Sequence, residues 1–321
     1  MKNKGKLLMA VLTVLMFTVI PGTAFAKETK KSVKSGRIYV PTAGNGYTWD
    51  EVKNTWVPSG ETFKAAFNQQ GKVRSLKIDW KSDDARETES LQYNYQWKGD
   101  NLTRVTVKYV SSNDGKTGES FSVKTTYKVR QKKPVKEKDV CYYYDEDGQL
   151  ASSLTTETKY TWNKNNRKGS STTKASYRDK DSKDPYTMKS SNAYTLKNGK
   201  ISTSREDHYS FKYYKNGNLK SITKTSADKR TRNVTDFNEA GYRVKFSHSS
   251  KDGNGAVTGY VTTYKWTVVN GKPKSVEWFT KDQDGRITDR CRYQYTSTKK
   301  VAQSRNCDVF GLEVWLGIWG E

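Results

Sequence analysis

The side chains best suited to chemistry are few, and their spacing is poor for catalysis. His208 and His248 are the only histidines. Hydrolytic triads and zinc sites ordinarily draw on His as base or ligand. Two isolated copies read instead as polar residues of strands or turns. Asp145-Glu146-Asp147-Gly148 and Asp282-Gln283-Asp284-Gly285, with Asp289 beyond, share the start of a calcium-loop pattern. An EF-type loop closes with a bidentate Glu at its twelfth position; counted from Asp282, that position is Tyr293. Both segments read as turns, in which Asp-Gly supplies positive φ. The chain holds no Gly-x-Ser-x-Gly elbow, phosphate-binding glycine loop or His-Glu-x-x-His. A glycosidase needs only two carboxylates about 5–10 Å apart, and nothing in the linear order singles out a pair. The expectation is a protein without enzymatic activity, metal or cofactor.

Cysteine chemistry is equally sparse. Cys141, Cys291 and Cys307 are too few for a disulfide-stapled scaffold in a chain of 321 residues. Pairing Cys291 with Cys307 would tie the C-terminal segment to a neighbouring strand, a closure worth about 3 kcal/mol. The alternative is three buried thiols acting as small apolar side chains. Cys141 stays single in both.

Aromatic rings beside cations are the sharper lead. The chain has 21 Tyr and 9 Trp alongside 58 Lys and Arg. Rings can stack on sugars while neighbouring cations hold acidic groups. Most rings recur on one face of alternating segments and read as core filling. Trp56 and Trp80 lie next to turns or strand ends, which makes them the candidate ligand contacts.

These residues are carried by an exported chain. Lys2, Lys4 and Lys6 form a basic start, Leu7 to Ile20 an apolar run ended by Pro21, and Ala24-Phe25-Ala26 the small residues that signal peptidase accepts at Ala24 and Ala26. The run is shorter than the roughly 20 residues a spanning helix needs, so residues 1–26 read as a signal peptide with no stable transmembrane helix after processing. The formal charge of +24 falls to +21 once the leader's three lysines are gone. Such a surplus favours anionic cell-wall polymer or polysaccharide, and it also favours solubility. Export argues against nucleic acid. The expected location is secreted or at the cell surface.

Residues 27–36 lack any apolar period and read as a mobile basic tail. From Arg37 the period is two. Leu91, Tyr93, Tyr95 and Trp97 alternate with Gln92, Asn94, Gln96 and Lys98; Phe121, Val123, Thr125, Tyr127 and Val129 alternate with Ser122, Lys124, Thr126, Lys128 and Arg130. Each such run has one aromatic, β-branched face and one Lys/Thr/Gln face, as in a sheet wetted on one side. Between the runs recurs an aromatic residue, a polar Gly-bearing turn and a new strand. Examples are Phe67 to Val73, Tyr143 to Leu150, Tyr194 to Ile201, Tyr213 to Leu219, Phe237 to Val244 and Phe279 to Ile287. Asn-Gly and Asp-Gly between alternating runs are hairpin signals.

The fold class follows: all-β, an antiparallel up-and-down meander of hairpins forming a long curled sheet or a many-stranded barrel, with residues 37–321 one domain. Tight glycine turns at one edge and longer polar loops at the other would suit it. The longer connections are Ser82–Ser90, Ser111–Ser120, Ser226–Asn233 and Ser249–Gly259, and residues 131–139 read as a basic loop. A brief helical period covers Glu61 to Phe67. Val309 to Glu321, the most apolar stretch after the leader, reads as a closing strand, with a docking strand for another protein as the alternative.

The aromatic-x-x-x-Gly-[Lys/Asn/Gln/Arg]-[Leu/Ile/Val] phrase is similar to the YD or RHS-type repeats of secreted bacterial proteins, and Tyr144-Asp145 preserves the literal pair. Trp49-Asp50, Thr55-Trp56-Val57-Pro58 and the Phe67 repeat resemble small repeat-bearing exported proteins of gut bacteria. The likeness spans residues 47 to 295 and implies surface-exposed β structure without a particular activity. The leading reading is an exported, non-enzymatic β-repeat protein that associates with the cell surface or an anionic glycan. An outer-membrane β-barrel and an exported carbohydrate-active enzyme are the alternatives.

Overall fold

In the computed structural model the described residues run from Arg37 to Ala302, apart from short stretches within the connections. Cys307 and the segments 1–36 and 309–321 lie outside them. Every element among the described residues is a strand. The first nine are β1 (Arg37–Asp50), β2 (Thr55–Phe67), β3 (Val73–Lys81), β4 (Glu87–Lys98), β5 (Asn101–Asn113), β6 (Lys116–Arg130), β7 (Lys133–Tyr144), β8 (Leu150–Trp162) and β9 (Lys168–Asp179). The rest are β10 (Tyr186–Lys197), β11 (Lys200–Thr203), β12 (Asp207–Tyr213), β13 (Leu219–Ser226), β14 (Thr231–Phe237), β15 (Arg243–Lys251), β16 (Val257–Val269), β17 (Lys272–Asp282) and β18 (Ile287–Ala302).

Each strand pairs antiparallel with the next, and β18 returns to pair with β1 from Arg37↔Ala302 to Thr48↔Cys291. The meander therefore closes into an 18-stranded barrel, the second of the two expected closures. Closure leaves neither β1 nor β18 as a free edge. The thinnest seam joins β11 and β12, which share only the Thr203↔His208 pair.

Four local expectations are corrected. Glu61 to Phe67 belongs to β2 and pairs with β3 from Glu61↔Trp80 to Phe67↔Val73, because ladder pairing on both sides overrides a short helical period. The basic 131–139 stretch is mostly the start of β7, and Ser111–Ser120 is mostly the ends of β5 and β6, while the other three longer connections keep short turns between their strands. Nor do turn types segregate by mouth. A five-residue Asx-x-x-Gly-x turn recurs at Asn68 and Asn238 at one mouth and at Asp145, Asp252 and Asp282 at the other. In each, the fourth residue's amide donates to the first carbonyl and the first amide to the fifth carbonyl. Gly71, Gly148, Gly241, Gly255 and Gly285 hold the fourth position at positive φ. The first side chain accepts the fifth amide, as from Lys72, Gln149, Tyr242, Ala256 and Arg286. The carboxylates of Asp145 and Asp282 are thus engaged by their own turns.

The face carrying Leu91, Tyr93, Val107, Phe121, Val123, Val276 and Tyr293 is the buried one. It is the concave, inner face. Tyr242, in the β14–β15 turn, donates its hydroxyl to the Tyr39 carbonyl at 2.8 Å, reaching β1 across three intervening strands. The Phe63 and Tyr293 rings meet edge to face at 5.4 Å over β1. Gly44 makes that approach feasible: a Cβ there would stand 2.7 Å from the Phe63 ring and 2.6 Å from the Gln294 carbonyl oxygen. Trp97 and Trp266 donate their indole N–H to the Val73 and Arg243 carbonyls, both at 2.7 Å, so their polar edges are satisfied inside the core.

Candidate functional site

Because strand side chains alternate, the face opposite the core points away from the barrel. Two adjacent rungs of that outer face can be followed across β4–β10 by register. One runs Gln96, Arg104, Thr126, Lys138, Glu157, Lys174, Lys189. The other runs Lys128, Lys136, Lys159, Thr172, Ser191. Arg104 and six lysines therefore surround the single carboxylate of Glu157. Lys136 Nζ lies 3.1 Å and Lys138 Nζ 3.8 Å from that carboxylate, and the Lys136 hydrogen bond leads in holding its pKa below the usual carboxylate value. Lys174 faces Glu157 across β8 and β9, and Arg104, Lys128, Lys159 and Lys189 have no carboxylate directly opposite them in these rungs. Their spacing is set by the ladder, about 4.8 Å between strands, so the wall presents a dense positive field to solvent.

Trp56 lies on the outer face, half-buried in a second cluster. Its ring meets that of Trp49, its cross-strand partner, edge to face at 5.3 Å. The Arg292 guanidinium stands 4.1 Å from the Trp56 centroid and Arg290 4.0 Å from that of Trp49. Glu277 on β17 holds both cations: Arg290 donates to Oε1 at 3.0 and 2.9 Å, and Arg292 to Oε2 at 3.3 Å. Cations slotted over indole faces and fixed by one carboxylate form a rigid platform. Trp80 lies on the inner face, between Glu61 on β2 and Glu89 on β4. The structure thus separates the two tryptophans rather than bringing them together. Trp49 and the two arginines were missed because partnership across β1, β2 and β18 exists only once the barrel closes.

The inner face holds a feature that linear order hid. Glu137 and Asp139 are two apart on β7 and both point inward, opposite Thr158 and Thr156 of β8. Glu137 is 1% exposed and accepts the Tyr160 hydroxyl at 2.7 Å through Oε2. Glu137 Oε1 and Asp139 Oδ1 are buried without a hydrogen-bond partner. Burial pushes Glu137 well above the usual carboxylate value, with the Asp139 charge adding to it. Burial likewise raises Asp139 from 3.8 to about 6. Both carboxyls are thus biased toward their neutral forms. Among the described residues no group of three or more His, Cys, Asp or Glu could hold a metal ion. Cys141 is buried, its thiol pushed up to about 12 chiefly by burial. Cys291 donates its thiol to Asp289 at 3.3 Å, and its expected partner Cys307 lies outside the described residues.

No protein family model and no curated protein matches the chain. Among solved structures it is similar to a porin-like protein from Bacteroides uniformis ATCC 8492, with 11% identity and a TM-score of 0.34 over 81% of this chain and 98% of that one. A porin-like protein from Bacteroides vulgatus ATCC 8482 gives 10% identity and a TM-score of 0.32, covering 80% and 98%. No helix among the described residues is long and apolar enough to cross a membrane, which says nothing of crossing by strands.

Proposed function

We propose that this protein is an exported, non-enzymatic β-barrel that works outside the cytoplasm by holding an anionic cell-wall polymer or polysaccharide on its basic outer wall. One observation carries the reading: two outer rungs place Arg104 and six lysines around the lone carboxylate of Glu157. A polyanion lying across these strands meets a cation at nearly every step and releases counterions on binding. The Trp49–Trp56 platform offers rings beside arginines on the same outer face, suited to an acidic sugar. The glycine-turn resemblance to YD or RHS-type repeats fits a surface-exposed β protein of this kind.

The test is co-sedimentation of the mature protein with insoluble anionic wall polymer and with cross-linked polygalacturonate, from about 0.05 to 0.5 M salt. Binding should weaken steeply as salt rises, and Lys136→Glu/Lys159→Glu/Lys174→Glu should lose it at low salt. Absence of binding at every salt concentration would overturn the reading.

The outer-membrane barrel is the second reading, favoured by closure itself: an even number of antiparallel strands, no free edge and short connections at both mouths. It requires the outer lysines to face lipid, where each costs about 2–4 kcal/mol at the bilayer midplane. That cost favours an outer wall that faces water. Recovery of folded protein from aqueous extract without detergent supports the first reading. Recovery only in detergent, as a heat-modifiable band, supports the second.

A further inference from the structure

One tryptophan of the barrel lacks the partners that its type finds elsewhere in the fold. Trp49, Trp56, Trp97, Trp162, Trp266 and Trp278 each stack on another ring, carry a cation over the indole or donate the indole N–H. Trp80 does none of these among the described residues, although it faces inward and is half-buried. An indole whose face and N–H are both unused keeps them for a ligand.

Its neighbours define the chemistry of that ligand. Trp80 stands directly opposite Glu61 of β2 on one side and Glu89 of β4 on the other, so one inner rung reads carboxylate, indole, carboxylate. Glu61 accepts the Tyr293 hydroxyl through Oε1, and no described cation pairs with it. Burial raises its carboxyl above the ordinary value, partly offset by that hydrogen bond. Glu89 accepts the Tyr109 hydroxyl. A carboxylate has about four lone-pair sites, so each keeps acceptor capacity beyond its tyrosine. The rung one step deeper, Phe63, Ile78 and Leu91, is apolar, with Phe63 and Leu91 buried. Negative walls over an apolar floor reverse the character of the lysine-covered outer face.

A ligand for this rung needs a cation at each end and an apolar run between them. Ammonium groups meet the carboxylates, and the methylenes beside a cation lie well on an indole face. Glu61 and Glu89 are two strand spacings apart, roughly 10 Å between backbones, a span that a short alkyl chain with two ammonium ends can bridge. We propose that the Glu61–Trp80–Glu89 rung binds a linear aliphatic polyamine, its methylenes on the indole and its ammonium ends on the two carboxylates. The site lies on the inner face and does not rest on the basic outer wall.

The probes are putrescine, cadaverine and spermidine, titrated into the mature protein by isothermal titration calorimetry, with n-butylamine as the one-ended control. At least one polyamine should saturate at millimolar concentration or below, more tightly than n-butylamine, and should weaken as salt rises. Glu61→Gln/Glu89→Gln, which keeps acceptors for Tyr293 and Tyr109, should weaken it by about tenfold or more, equivalent to about 1.4 kcal/mol. Trp80→Ala, which spares both carboxylates, should weaken it too, and far-ultraviolet circular dichroism checks that the variants stay folded. Lys136→Glu/Lys159→Glu should not weaken it, which separates this site from the outer wall. Failure of all three polyamines to saturate, equal affinity for n-butylamine, or wild-type affinity in either folded rung variant overturns the proposal.

Discussion

Glu137 and Asp139 make stability depend on pH in an unusual direction. A carboxyl whose folded-state pKa is raised by burial stabilises the fold fully below its unfolded value, and that contribution is lost as pH rises through the folded value. For Asp139 the window runs from 3.8 to about 6, and crossing it costs about 3 kcal/mol, since each pKa unit is worth 1.36 kcal/mol. Glu137 is raised further, by burial first and then by the Asp139 charge, so its loss continues to higher pH. Glu61 shifts the same way through burial, partly offset by the hydrogen bond that Tyr293 donates to it. The exposed carboxylates of Asp50, Asp145 and Asp228, held low chiefly by local hydrogen bonds, lose their contributions only at acid pH. Urea unfolding followed by tryptophan fluorescence from about pH 4 to about pH 8 should therefore show stability falling as pH rises. Glu137→Gln/Asp139→Asn removes the two charges while keeping similar shapes and acceptors for Tyr160 and Thr125. It should flatten much of the slope and exceed the wild type in stability at the alkaline end. A wild type that gains stability with pH, or a double variant with an unchanged slope, refutes the reasoning.

Gly44→Ala should destabilise by about 2–4 kcal/mol, read as a lower denaturant midpoint, because a Cβ there collides with the Phe63 ring and a ladder carbonyl. Hydrogen exchange should be fastest, within strands, at β11 and β12, whose shared ladder is a single pair. Arg290→Ala should cost about 1–2 kcal/mol and loosen Trp49, seen as a red-shifted tryptophan emission, since it removes both a carboxylate partner and a ring contact. Cys141 should resist alkylation by iodoacetamide in the native state at neutral pH and react once the barrel is unfolded, because it is buried with a raised thiol pKa.

Much of this architecture is written in short-range pattern. Alternation such as Leu91, Tyr93, Tyr95 against Gln92, Asn94, Gln96 encodes both the strand and the face it buries, because pleating has period two. The Asx-x-x-Gly-x turns are equally local: Asp145 or Asp282 caps its own loop and glycine takes the positive φ. Where a weaker local signal competed, as in Glu61 to Phe67, ladder pairing on both sides of β2 prevailed. Of the two candidate tryptophans, the linear order named the residues but not their faces, and it did not mark Trp49, Arg290 or Arg292 as ligand contacts.

What the chain alone determined is strand, turn and which side chains avoid water, since those depend on neighbours within a few residues. Closure, strand number and every candidate surface were decided by tertiary structure. The β1–β18 ladder, the lysines gathered around Glu157, the Glu137–Asp139 pair beneath Tyr160 and the Glu61–Trp80–Glu89 rung all join side chains from different strands. Their juxtaposition depends on register summed around the barrel, a quantity that no single segment contains.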